Sequence, residues 1–303
     1  MKKCWSLIIF LVPLLFLVSC TTQDTNQNLG KVFQGGTQGL LASFEPIGPT
    51  EDTIYTVYDT ESFPLEVKLQ NKGEEKVLAG KATVTLIGPS PTDFENIPAW
   101  TINNKNEIDK ITEFNPLGGE EVVSFTPTND AKYKAKVIGY QDLNWNVEYA
   151  YNYKTHVIIN DVCFKGDITD TKVCNIKEVK SFAVSGAPIT VTSVEEDSAG
   201  QGLVQLKITL RNAGGGDATL PGTEFERYDQ IAFVIDEPTK WECKSGGKEN
   251  QGRMLEDNTA VIFCKLKQPL QKKDLYTKTI SFTVEYVYKQ LIQEKLRVKE
   301  SVK

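Results

Sequence analysis

The side chains that could carry acid–base or metal chemistry are a single histidine, His156, and a few groups of carboxylates. A hydrolytic triad needs an imidazole beside a nucleophile and a carboxylate, and the sequence contains no Gly-x-Ser-x-Gly elbow. A catalytic zinc site built from several histidines is excluded, because there is only one. Since His156 precedes the apolar run 157–159, we interpret it as a surface or strand-edge residue.

Acidic residues cluster at Glu74–Glu75, at Glu195–Asp197 and at the pair Asp167 and Asp170. Paired carboxylates can hydrolyse glycosidic bonds or bind Ca²⁺ together with loop carbonyls. None of these spacings matches an EF-hand loop, so we interpret them as solvated acids at turns. Asp167 and Asp170 are a weak Ca²⁺ candidate, and the sequence predicts no other metal and no cofactor.

Four cysteines follow Cys20, namely Cys163, Cys174, Cys243 and Cys264. Three pairings are possible, and we favour joining nearest neighbours, because each pair then brackets a hairpin-like segment. The alternative, a zinc site, lacks any Cys-x-x-Cys spacing. Two disulfides indicate an oxidising compartment.

The N-terminus, residues 1–20, has the organisation of an export signal. Two lysines precede an apolar run that ends in Leu17–Cys20. This ending resembles the lipobox of prokaryotic lipoproteins, which implies a thioether lipid on Cys20 and cleavage before it. An uncleaved anchor or an ordinary signal peptide is the alternative. The polar segment 21–36 is predicted to be a flexible tether, so the chain is expected on the outer face of the cell membrane.

The mature chain contains an internal repeat. The alternating segment Leu65–Gly73 matches Leu206–Gly214, and both end in Asn-x-Gly; Val147–Tyr151 matches Val284–Tyr288 at a similar distance. We therefore predict two tandem domains, one over 37–183 with an insertion near 91–120, and one over 187–303.

Short apolar–polar alternating segments separated by Gly, Pro and Asn predict an all-β fold of two immunoglobulin-like sandwiches. The insertion near 91–120 lacks strong alternation, and a short helix or hairpin is expected there. The other predicted strands are Leu40–Glu45, Ala82–Ile87, Val122–Phe125, Ala135–Ile138, His156–Ile159, Thr190–Val194, Gln230–Ile235, Ala260–Lys265, Thr277–Val284 and Gln293–Val298.

The segment Phe63–Gly73, with apolar residues at every second position before Asn-x-Gly, resembles CARDB domains, a cell-adhesion-related immunoglobulin-like group. Gly36–Leu40, Phe114–Gly118 and Gly186–Pro188 are similar to segments of uncharacterised surface proteins of uncultivated archaeal lineages. The resemblance implies a sandwich fold and a cell-surface setting, and it implies no catalytic residue. The insertion near 91–120 is not part of a minimal CARDB domain.

Three groups of aromatic residues are candidates for either packing or binding. Trp241 shares a strand face with Cys243, so it is expected to pack on a disulfide. The tyrosines 149, 151 and 153 share a strand face and are expected to be half-buried. Trp100 lies in the insertion and is a candidate contact for a glycan or a protein.

The favoured function is a lipid-anchored binding or structural protein of the cell surface without catalysis, whose partner is a surface protein, a glycan or another copy of the chain. An accessory subunit of a transport, secretion or pilus complex is the alternative, and a hydrolase of envelope polymers is less favoured. The net charge of −6 argues against nucleic acid as a partner.

Overall fold

The computed structural model describes residues 32–170 and 172–301. The predicted signal peptide 1–20, the lipidation site Cys20 and most of the predicted tether lie outside the described residues. Phe33–Lys303 form one compact unit. Within the described part of the chain, no helix is long and apolar enough to cross a membrane.

The described residues form strands and one 3₁₀ turn, Pro91–Asp93. The strands are β1 (Leu40–Phe44), β2 (Thr50–Glu51), β3 (Ile54–Tyr58), β4 (Ser62–Phe63), β5 (Glu66–Asn71), β6 (Ala82–Gly88), β7 (Phe94–Glu95), β8 (Thr101–Asn103), β9 (Glu120–Ser124), β10 (Ala131–Tyr133), β11 (Tyr140–Lys165), β12 (Glu178–Val179), β13 (Phe182–Val184), β14 (Ile189–Gly200), β15 (Leu203–Asn212), β16 (Asp217–Thr219), β17 (Gln230–Ile235), β18 (Trp241–Ser245), β19 (Lys248–Glu249), β20 (Gln251–Arg253), β21 (Thr259–Leu266) and β22 (Leu275–Lys299).

These strands build one large sheet and three smaller ones. The large sheet has the order β2-β3-β22-β11-β6-β8, with β13, β16, β17 and β20 attached at its sides. Two smaller sheets have the orders β1-β5-β9 and β12-β14-β15-β21-β18-β19, and the third is β4-β10-β7. Alternate residues of the long strands are buried in a single apolar cluster, which gives the packing of a β-sandwich.

The longest two strands, β11 and β22, pair with each other antiparallel from Tyr140↔Lys299 to Lys165↔Leu275. The register is interrupted only between Ile159 and Val162. Because β11 belongs to the first repeat and β22 to the second, this pairing joins the two repeats in one continuous sheet.

The two repeats are related by an approximate twofold axis through the pair Asn152↔Val287. On either side of it Tyr151 pairs with Tyr288, and Tyr153 pairs with Tyr286. All four tyrosines are buried, with neighbouring rings 5.4–6.4 Å apart. Around this centre each repeat supplies a three-strand layer in the same order, β1-β5-β9 in the first and β14-β15-β21 in the second.

The all-β prediction is confirmed, and most predicted strands lie within observed ones. Two pairs of predicted segments are each part of one long strand, β11 or β22. The predicted strand Ala135–Ile138 is wrong: this segment is a turn that ends at Gly139, whose φ of 72° reverses the chain before β11. Two separate tandem domains are not confirmed, since the repeats share one sheet, and the boundaries 37–183 and 187–303 stay a prediction.

A buried ion pair fastens the loop after β11 to the sheet of the second repeat. The Lys180 ammonium lies 2.7 Å from the Glu196 carboxylate and 2.5 Å from that of Glu178, and it donates to the Asp161 carbonyl. Glu196 also accepts the backbone N–H of Cys163 at 2.9 Å. Burial raises the pKa of the Glu196 carboxyl to about 7, although Lys180 and the Cys163 N–H favour its ionised form.

We expect the native state to hold a proton on Glu196 that the unfolded chain releases near pH 4.5. Stability contributed by this group is therefore present below pH 4.5 and is lost as the pH rises to about 7. Glu196→Gln should flatten the stability profile over this window by about 3 kcal/mol, measured by urea unfolding. Glu195→Gln, which removes a surface charge paired with Lys207, is the control. An unchanged profile in Glu196→Gln would contradict the assignment.

Candidate functional site

An asparagine closes the turn after β5 in the first repeat. Its Nδ2 donates to the Glu75 carbonyl at 2.7 Å and to the Ile108 carbonyl at 3.4 Å. The Oδ1 of this residue, Asn71, accepts the Gly73 N–H at 3.1 Å and the Tyr153 hydroxyl at 3.0 Å. One amide side chain thus ties the turn to β11, and we call this arrangement the first corner.

The second repeat contains the same arrangement, the second corner, after β15. The Asn212 Nδ2 donates to the Gly216 carbonyl at 2.7 Å and to the Asp229 carboxylate at 2.6 Å. Its Oδ1 accepts the Gly214 N–H at 3.3 Å and the Tyr288 hydroxyl at 2.7 Å. Burial raises the pKa of Tyr288 to about 12, so its phenol remains a donor at neutral pH.

The corners correct the alignment of the repeats. Since Tyr153 and Tyr288 occupy the same place, Val284–Tyr288 corresponds to Tyr149–Tyr153 and not to Val147–Tyr151. The predicted match is wrong by two residues. A shift of two keeps every side chain on the same face of a strand, so sequence periodicity could not detect it.

The first corner is covered by the segment 104–119, which lies between β8 and β9. The Ile111 N–H donates to the Gly73 carbonyl at 2.9 Å, and the Ile108 side chain is buried. At Gly118 a Cβ atom would lie 1.8 Å from the Asn71 carbonyl oxygen, so only glycine fits this contact. Under this segment Asn71 is 0% exposed.

The second corner is open, because only the short segment 254–258 precedes β21. A cavity of about 440 Å³ lies beside Asn212. It is lined by Asn212, Gly215, Gly216, Asp217, Arg227, Tyr228, Asp229, Met254, Leu255, Glu256 and Asn258.

Charged groups of both signs face this cavity. Across residues 32–170 and 172–301, the side chains of Arg227, Asp217 and Glu256 form no hydrogen bond or ion pair. The Arg227 guanidinium lies 5.3 Å from the centre of the Tyr228 ring. Asp229 instead serves the fold, since it accepts the Ala218 N–H at 2.8 Å, and burial raises the pKa of its carboxyl. A guanidinium, two carboxylates and an aromatic ring suit a polar ligand with several hydrogen-bonding groups.

The predicted cysteine pairing is confirmed, with disulfides Cys163–Cys174 and Cys243–Cys264. They indicate an oxidising, extracellular environment. Cys243 and Cys264 lie opposite each other on the neighbouring strands β18 and β21, whereas the immunoglobulin disulfide joins two sheets. Trp241 and Cys243 are both buried on one face of β18, as their spacing predicts.

Trp100 is partly buried against the apolar cluster, and its ring lies 6.3 Å from that of buried Trp145. It lies beside a shallow cavity with Pro89 and Ile87, away from the second corner. That Trp100 contacts a glycan or a protein stays a prediction. The stripe Tyr149, Tyr151 and Tyr153 is buried rather than half-buried, because a second strand layer covers it.

Asp167 and Asp170 lie in consecutive turns of the disulfide loop. Asp167 accepts the Thr169 N–H at 3.0 Å, and Asp170 accepts the Lys172 N–H at 2.7 Å. The Lys165 ammonium donates to the Asp170 carbonyl at 2.7 Å, so a cation already occupies this loop. In the part of the chain that is described, no group of three or more His, Cys, Asp or Glu side chains could hold a metal ion.

His156 lies on β11, as predicted, and its Nε2 is 3.0 Å from the Glu75 carboxylate. The hydroxyl of Ser185 accepts the backbone N–H of His156 at 2.9 Å. The imidazole therefore ties β11 to the turn of the first corner.

Sequence reasoning identified the Asn-x-Gly turns but missed the cavity beside Asn212. Arg227, Tyr228 and Glu256 are far from that turn in sequence, and no motif joins them. The difference in length between the two segments that precede β9 and β21 was the available signal. Comparison with protein-family models, curated proteins and solved structures gives no match for this chain.

Removing each corner asparagine should destabilise the protein unequally. Asn71→Ala removes the acceptor of the Tyr153 hydroxyl proton and of the Gly73 N–H, and it removes the side-chain donor to the Glu75 carbonyl, in a sealed corner. We expect this to cost about 3 kcal/mol. Asn212→Ala should cost about half as much, because water can enter the open corner and replace the lost bonds. Urea unfolding of both variants measures this, with Asn103→Ala on an exposed edge strand as the control. Equal losses would contradict the difference between the corners.

Proposed function

We propose that the chain is an exported, lipid-anchored protein of the cell surface that binds a partner in the second corner and performs no catalysis. The observation that carries this proposal is the contrast between the corners. Two copies of one turn keep the same internal hydrogen bonds, but one is sealed and the other presents charged side chains that have no partner. The side chains of Arg227, Asp217 and Glu256 are exposed, and charged groups of both signs that converge on a concave opening can orient a polar ligand.

Support for the finer fold comes from the layers β1-β5-β9 and β14-β15-β21, each packed against the central sheet. This arrangement agrees with two immunoglobulin-like repeats and with the resemblance to CARDB domains. Both disulfides agree with export, and the lipid on Cys20 rests on the sequence of residues 1–20.

We propose that the protein performs no catalysis, because the histidine and the buried acid that could act in catalysis are engaged in contacts within the fold. His156 is engaged with Glu75, and Asp229 with Asn212 and Ala218. The free acids Asp217 and Glu256 lie beside an arginine, an arrangement that suits recognition of a surface protein or a glycan.

A photo-crosslinking residue at Leu255, on the rim of the second corner and 61% exposed, tests this proposal in intact cells. We expect one recurrent adduct, identified by mass spectrometry, whose yield falls at least about tenfold with Arg227→Ala because a charged hydrogen bond is lost. The control places the residue at Val234, an exposed strand position outside the cavity. Two results would refute the proposal: the same adducts from positions 255 and 234, or an adduct yield at position 255 that does not change in Arg227→Ala.

A further inference from the structure

The segment 104–119 that seals the first corner carries two apolar side chains at its tip. Phe114 is 95% exposed and Leu117 is 66% exposed. The two side chains lie three residues apart on one loop, and apolar side chains that are exposed together can contact another surface.

The loop holds its tip by hydrogen bonds. Thr112 and Asn115 exchange backbone bonds of 3.1 and 3.2 Å, and the Thr112 hydroxyl accepts the Asn115 N–H at 3.0 Å. At the base, the side chains of Gln70 and Lys72 both donate to the Leu117 carbonyl at 3.3 Å. Phe114 and Leu117 are thus displayed by a fixed turn.

The chain enters the folded unit beside the base of this loop. The N–H groups of Gln34 and Gly35 donate to the Glu74 carboxylate at 2.8 Å each. Glu74 follows Gly73, whose carbonyl accepts the N–H of Ile111 from the loop. The covalent path from the predicted lipid site therefore enters the folded unit near Ile111, at the base of the loop that carries Phe114.

We propose that Phe114 and Leu117 insert into the lipid bilayer to which Cys20 anchors the chain, and this inference rests on the anchor of the proposed function. The chain between Cys20 and Phe33 can span at most about 45 Å, so the tether keeps the tip at a high local concentration near the bilayer. Each side chain that leaves water should favour the inserted state by about tenfold or more.

The charges near the tip agree with an apolar contact. The segment 104–119 contains two lysines and three acidic residues, so it is not a basic patch, and neither anionic lipid nor low salt should favour insertion. Insertion of apolar side chains thus differs from the attraction of a basic patch to anionic lipid, which depends on salt.

Site-specific fluorescence of the full lipidated protein in neutral phospholipid vesicles tests the inference. A Phe114→Cys variant carries an environment-sensitive dye, since the other mature cysteines are in disulfides or lipidated. The control is Ile138→Cys, an apolar position that is 89% exposed. It lies in the turn before β11, whose first residue is about 40 Å from the axis at Asn152. We expect a several-fold rise in emission at position 114, quenched by nitroxide lipids and unaffected by salt, and no change at position 138.

The outcomes separate this inference from the anchor. Protein that floats with vesicles while the dye at position 114 remains as accessible to aqueous quencher as that at position 138 overturns the insertion but leaves the anchor intact. Protein that fails to float overturns the anchor and the insertion together. Flotation that is unchanged in Cys20→Ser overturns the anchor alone, and the dye at position 114 then decides the insertion.

Discussion

The pairing of β11 with β22 is the constraint on which the rest of the structure depends. Each long strand belongs to one repeat and forms the middle of a sheet used by both, so neither repeat has a complete second layer without the other. The buried tyrosines at the centre join the two repeats, because the rings of Tyr151 and Tyr153 contact those of Tyr288 and Tyr286. The Tyr286 hydroxyl also lies 3.0 Å from the Thr155 hydroxyl of the other repeat. The pairing of β11 with β22 therefore places the first and second corners on opposite sides of the twofold axis.

From this shared frame the two repeats diverge by the segments that precede β9 and β21. The long segment 104–119 seals the first corner and presents Phe114, whereas the short segment 254–258 leaves Asn212 beside an open cavity. A duplicated turn has thus become a site for a bilayer in one copy and a site for a partner in the other, under the proposals above. The internal bonds of the turns are retained because they hold the strands, and only the covering segments differ.

The sequence predicted the strands, the disulfides and the repeat, because alternation, cysteine order and the Asn-x-Gly turns are local signals. It could not predict that strands of different repeats pair over their full length, since pairing between β11 and β22 is set by contacts more than a hundred residues apart. The two-residue error in aligning Val284–Tyr288 has the same origin, because the bond from Tyr288 to Asn212, which joins residues distant in sequence, shows that Tyr288 corresponds to Tyr153. Arg227 and Glu256 could not be predicted as site residues, because only the fold brings them together.

The shared sheet should make the two repeats one cooperative unit. Native-state hydrogen exchange tests this directly in a Val67→Ala variant, which removes a buried contact from β5 in the first repeat. We expect the amides of β15, in the second repeat, to lose protection by the same factor as those of β5. Unchanged protection in β15 would show that the repeats are stable independently and would contradict their cooperativity.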